Sequence, residues 1–223
     1  MQEPVIIFDL DGTLLNSIID IGESCNKALH QNALPTHSQE EYKTFVGWGA
    51  KNLIKKAIAP ITDEAVFEKV YSDYCEIYQR RCEQQCSPFP GVPAMLHDLH
   101  RLGAKIAVFT NKPHEQTTAI CEHTFAGLID FYIGEKEGSA IKPCPDGIEI
   151  IQGALGATCI AYIGDSNVDI ETGKNAGVFT IGVSWGMQPR RNLEDLKPDK
   201  IVDKVPELHE HLVQIVSNYF IDN

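Results

Sequence analysis

The chain has 223 residues, 43% of them hydrophobic and 22% charged, and carries a net charge of −12 at pH 7. This length and composition allow one buried core, with or without a smaller insert, and exclude a disordered chain. No apolar run approaches the roughly 20 residues of a membrane helix, and the acidic balance disfavours nucleic acid and anionic membranes as partners.

The first predicted element is the run Val5-Ile6-Ile7-Phe8. Its unbroken, large apolar character reads as a strand buried on both faces, as in the middle of a parallel sheet. The run is broken by Asp9 and Asp11 and lacks a basic flank, so it is not expected to act as a secretory signal. Residues 16 to about 87 then depart from strand patterning. Ile18, Gly22, Cys25 and Leu29 share one helical face, and Phe67, Val70, Tyr71, Tyr74, Ile77 and Tyr78 form a stripe on a second helix. The stiff segment Ser87-Pro88-Phe89-Pro90-Gly91 ends this stretch. Further strands are predicted at Ile106 to Phe109, Leu128 to Ile133, Ile160 to Ile163 and Phe179 to Val183. Helices are predicted over 93–102, 114–125, 146–155, 168–176 and 206–219, with Gly103, Gly156 and Gly177 as stops. The alternation implies an α/β fold with a Rossmann-like parallel sheet core over residues 1–15 and 88–223. An α-helical cap over 16–87 is inserted directly after the first strand, where it can serve as a lid.

The seven cysteines are odd in number, widely spread and free of any C-x-x-C pair. They read as reduced thiols in a cytoplasmic protein, without a structural zinc site. Cys82 and Cys86 fall on one helical face, and idle or buried thiols are the simpler reading.

Four strand ends carry distinctive residues: Asp9-x-Asp11-Gly12-Thr13, Thr110-Asn111-Lys112, Lys142-Pro143 and Gly164-Asp165-Ser166-Asn167-Val168-Asp169. Phosphoryl transfer needs a nucleophile, a proton donor, charge neutralisation and donors to the phosphoryl oxygens. Asp9 suits the nucleophile, and Asp11 suits the general acid and base. Lys142 supplies a positive charge, while Thr110 and the Asn111 amide supply donors. Asp9 and Asp165 offer the oxygen ligands that Mg²⁺ favours. Thr110 can alternatively cap the next helix, and Asp169 can be a first-turn acid placed favourably for the helix dipole. His114 reads as a surface histidine at a helix start.

With these motifs in this order, the chain resembles the haloacid dehalogenase-like superfamily of phosphatases, and within it the phosphoglycolate phosphatase-like group. The resemblance implies Asp9 as nucleophile, Asp11 as acid and base, Thr110 as phosphate binder, Lys142 as charge stabiliser and Asp165 as a ligand of Mg²⁺. It also gives Asp11 a backbone-carbonyl bond to the metal, and Asp169 a supporting role near the metal water or Lys142. The helical insert is similar to the small cap of that superfamily. Gly47, Trp48, Gly49 and Lys51 then lie on a loop over the substrate, although the same residues suit an ordinary turn leading into a helix. Dehalogenating members lack the second acid, so Asp11 points to phosphatases. Cys144 stands where the third motif commonly carries an acid. The implied substrate is a small phosphorylated metabolite, and the implied assembly a monomer or homodimer. A sugar phosphomutase and a non-catalytic phosphate-binding module are the competing readings.

Overall fold

The computed structural model describes residues 2–82 and 87–222, without the side chains of Cys82 and Asp222. Whether Cys82 and Cys86 share one helical face therefore lies outside the described residues. The five other cysteines are free thiols.

Six strands form one sheet: β1 (Glu3–Phe8), β2 (Lys105–Pro113), β3 (Phe131–Glu135), β4 (Ala157–Gly164), β5 (Thr180–Val183) and β6 (Lys200–Val202). Their order is β3-β2-β1-β4-β5-β6, and every pair is parallel. From β1 the chain builds outward to one side through β2 and β3, then crosses back to lay β4 on the other side. That reversal leaves the carboxyl ends of β1, β2 and β4 around one crevice, the position at which open α/β sheets bind ligands.

The apolar run of β1 explains its central place. Alternate side chains point to opposite faces, so Ile6 and Phe8 enter a core shared with the helices of one face, while Val5 and Ile7 enter a second core with Ile148 and Ile151. All four are fully buried. The β1–β4 register shifts between Val5, opposite Cys159, and Ile6, opposite Ala161, leaving Ile160 as an extra residue. This bulge changes which residues of β4 face each core and turns Tyr162 into the second one.

Between β1 and α5 (Val92–Arg101) lie four helices: α1 (Ile18–Gln31), α2 (Gln39–Phe45), α3 (Gly49–Ala57) and α4 (Glu64–Cys82). Cys25 and Leu29 of α1 and Val70, Tyr74 and Tyr78 of α4 are buried, as the helical stripes predict. The two segments joining insert to sheet run side by side. Leu15 bridges Pro88 in antiparallel fashion, Asn16 N donates to Ser87 O at 3.0 Å, and Phe89 N donates to Leu14 O at 3.0 Å.

The remaining helices are α6 (His114–His123), α7 (Asp146–Leu155), α8 (Asn167–Ala176), α9 (Arg190–Leu196) and α10 (Val205–Asp222). Gly156 and Gly177 take the left-handed positions that end α7 and α8. Strand β3 begins at Phe131, later than the expected Leu128, because Leu128 N is drawn into a turn on Phe125 O at 2.8 Å. Outside the insert, two elements escape the sequence pattern. β6 is a three-residue edge strand, and α9 buries only Leu193, so neither carries a readable period. Among the described residues no helix is long and apolar enough to cross a membrane.

Candidate active site

Asp9 extends the β1 ladder by one residue, its N–H donating to Ile163 O at 2.8 Å, which fixes its side chain at the crevice. The carboxylate is buried. Lys142 Nζ stands 2.7 Å from Asp9 Oδ1, an ion pair whose angles fall short of a directed hydrogen bond. The same ammonium donates to Asp169 Oδ1 at 2.6 Å. Burial disfavours the Lys142 ammonium, but Asp169 and Asp9 outweigh it and hold the group above its ordinary range. Burial pushes Asp9 the other way, up to about 6, against the pull of Lys142 and with added repulsion from Asp169 and Asp11.

Asp169 lies in the first turn of α8, where Ser166 and Asp169 form a reciprocal capping box. Its Oδ2 accepts from Ser166 N at 3.0 Å and Ser166 Oγ at 2.5 Å, and its Oδ1 accepts from Tyr162 at 3.1 Å besides Lys142. Both oxygens are thus engaged by protein donors. The sequence alternatives for Asp169, helix-terminal acid and support for Lys142, describe one and the same side chain.

Asp165 follows β4. It accepts from Met187 N at 2.7 Å and from Thr13 Oγ1 at 3.3 Å. A Cβ on Gly12 would sit 2.4 Å from this carboxylate and one on Gly186 2.3 Å, so glycine at both positions is what lets the loops close on it. Burial first, then Asp169 and Asp9, raise the Asp165 pKa well above the usual carboxylate range. Asp9, Asp165 and Asp169 each present an oxygen within 4.8 Å of the others, against the single cation Lys142. Three buried acids facing one ammonium leave surplus negative charge, and Asp9 Oδ1 has no directed donor. An oxygen-only donor set of this kind fits a hard divalent cation such as Mg²⁺.

Asp11 has different surroundings. Lys112 Nζ donates to both of its oxygens at 2.8 Å, and donates to Tyr78 Oη of α4 at 2.7 Å while lying 4.3 Å from the centre of that ring. Neither the role of Lys112 nor that of Tyr78 was legible in sequence. Lys112 was visible only as the last residue of its motif, and Tyr78 only as one member of an apolar stripe.

Thr110 is buried at the crevice, and its hydroxyl accepts from Lys112 N at 3.3 Å. It does not cap α6, whose N-cap position falls on Pro113. The Asn111 side chain is committed to the backbone. Its oxygen accepts from Lys142 N at 2.8 Å, and its nitrogen donates to Lys142 O at 3.1 Å and Gly47 O at 3.2 Å. It thereby ties the lysine loop to the insert, an engagement that differs from the expected donation to phosphate.

One cavity gathers Asp9, Asp11, Thr110, Asn111, Lys142 and Asp165 beneath Gly47 and Gly49 of the insert. Trp48 and Lys51 do not line it. Trp48 is 37% exposed, and Lys51 Nζ lies 6.0 Å from the centre of the Tyr71 ring. His114 is half-buried, with Nδ1 accepting from Gly134 N at 3.3 Å, and burial lowers its pKa.

An open parallel sheet with an all-helical insert after its first strand, and an acid–lysine centre at its switch point, defines an α/β hydrolase of the phosphoryl-transfer class. The chain belongs to the haloacid dehalogenase-like hydrolase family, whose sequence profile matches residues 6–183. It is 31% identical over 181 residues to the phosphoglycolate phosphatase of Rhodobacter capsulatus, covering 78% of this chain and 81% of the relative. It is 30% identical over 217 residues to that of Vibrio parahaemolyticus, covering 92% and 94%. A solved structure of a candidate phosphoglycolate phosphatase from Lactobacillus delbrueckii subsp. bulgaricus superposes with a TM-score of 0.87 at 29% identity, covering 95% of this chain and 99% of that one. The protein is an enzyme of the phosphoric monoester hydrolase class.

Proposed function

We propose that the enzyme is a Mg²⁺-dependent phosphatase of small phosphomonoesters, of the phosphoglycolate type that its relatives' names carry, working through an aspartyl phosphate. The observation that carries this reading is the buried Asp9 carboxylate paired with Lys142 at 2.7 Å, in one cavity with a second acid, Asp11.

In the first step an oxygen of Asp9 attacks phosphorus, the bond from phosphorus to the alcohol oxygen breaks, and Asp11 gives its proton to the departing alkoxide. Water then attacks the same phosphorus, Asp11 takes its proton, and the bond from phosphorus to Asp9 breaks. Phosphate leaves and both acids return to their starting states. Lys142 neutralises charge on Asp9 and on the phosphoryl oxygens, and the Thr110 hydroxyl donates to those oxygens. The carboxylates of Asp9 and Asp165 with the Asp11 backbone carbonyl would hold Mg²⁺, which would supply charge neutralisation to the phosphoryl group. Asp169, with both oxygens already engaged, orients Lys142.

Residues 16–87 form the cap in this reading. The paired crossings at Leu14–Asn16 and Ser87–Phe89 are its hinge. Asn111 and Lys112 touch the cap at Gly47 and Tyr78, so the expected substrate contact narrows to Gly47 and Gly49, with Trp48 and Lys51 outside it. Phosphate release from a panel of metabolite phosphomonoesters, with and without Mg²⁺, tests the reading. Metal-dependent release from a small phosphorylated acid supports it, and interconversion of sugar phosphates without net release contradicts it.

A further inference from the structure

Gln116 is a buried amide to which the catalytic steps assign no task. It lies in the first turn of α6, is 4% exposed, and among the described residues its side chain makes no hydrogen bond. An amide buried to this degree and held by no protein group stays available to a ligand. Gln116 lines the catalytic cavity, where a bound molecule would meet it.

Its surroundings select the chemistry of that molecule. Pro113 also lines the cavity, so the first turn of α6 opens on it. The leading N–H groups of a helix lack intrahelical partners and form its positive end, which favours anions. Lys112, paired with Asp11, lies on the same wall. The cap contributes Ile21, Val46, Ala50 and Leu53 with Tyr74 beside them, a mostly apolar wall that offers little to the several hydroxyls of a sugar. The first turn of α6 also borders a second cleft, where Glu76, Glu115, Glu135 and Glu137 outnumber Lys136, a setting less favourable to an anion. The favourable position for a negative group is therefore inside the catalytic cavity.

We propose that Gln116 is a specificity residue whose amide donates to a carboxylate on the alcohol part of the substrate, selecting short phosphorylated hydroxy acids over phosphorylated sugars and simple alkyl phosphates. The proposal rests on the phosphatase reading and deepens it.

The test compares kcat/KM for 2-phosphoglycolate with kcat/KM for ethyl phosphate, which has nearly the same shape without the carboxylate. The wild-type ratio is expected to exceed one. Gln116→Leu lowers that ratio about 10- to 100-fold, the discrimination carried by a hydrogen bond to a charged group. Gln116→Glu, which keeps size and shape, lowers it further by repelling the carboxylate. A purely structural role would lower both values together and leave the ratio unchanged in both variants, which overturns the proposal. A wild-type ratio near one, with both compounds hydrolysed, overturns it while sparing the phosphatase reading; no hydrolysis of either compound overturns both.

Discussion

Asp9 and Asp11 stand two residues apart yet meet different partners, and the difference suits the separate roles proposed for them. Asp9 is buried beside Lys142 and two further acids, where a nucleophile can be held and neutralised. Asp11 is held away from that cluster by Lys112, a cation anchored in turn to the cap through Tyr78. A proton-transferring role for Asp11 makes its loss depend on the leaving group. Asp11→Asn should lower kcat/KM for an alkyl phosphate by about 10²- to 10⁴-fold. The loss should be much smaller for p-nitrophenyl phosphate, whose nitrophenolate departs without a proton. Equal losses on the two substrates would assign Asp11 another task. The pair itself was legible in sequence because a carboxylate directly after a buried apolar strand has few structural explanations. Lys112, Tyr78 and Gln116 were not, since their roles arise from side chains that meet only once the insert folds over the sheet.

At the scale of elements, most helices and strands follow from hydrophobic period, and those that do not are short or sit at an edge. In the insert, α1 and α4 carry the stripes read from the sequence, and α2 carries a local cap. Ser38 and Glu41 form a reciprocal capping box at the start of α2, with Ser38 N donating to Glu41 at 2.8 Å. Those bonds from the Ser38 backbone and hydroxyl pull the Glu41 carboxyl down to about 2. Ser38→Ala removes the cap and should destabilise the protein by about 1 kcal/mol in denaturant unfolding. An unchanged midpoint would show that α2 is held by packing alone. The loop leading into α3 was less legible than the helices around it. Spacing could not separate Gly47 and Gly49, which line the cavity, from Trp48, which points elsewhere, because a turn reverses direction within a single residue.

For the whole molecule, the sheet order could be anticipated only as far as alternating elements imply parallel strands. The crossing from β3 to β4, which creates the crevice, is a tertiary event. It concentrates three buried acids against one lysine, and the cost of that arrangement depends on pH. The Asp9 carboxyl is raised in the folded state from 3.8 to about 6. Between those values the folded chain keeps a proton that the unfolded chain has lost, so the metal-free protein loses stability as pH rises through this window. A divalent cation removes that penalty. Addition of Mg²⁺ should therefore raise the thermal midpoint more at pH 7.5 than at pH 5, and equal gains would place the metal away from Asp9.

The claim on which the mechanism depends is that Asp9 carries the phosphoryl group. Turnover of 2-phosphoglycolate by Asp9→Asn, alongside a circular dichroism spectrum matching the wild type, measures it most directly. Loss of the nucleophile predicts a fall in kcat of about 10⁴-fold or more with the fold retained. Turnover within a few-fold of wild type by that folded variant would contradict the account.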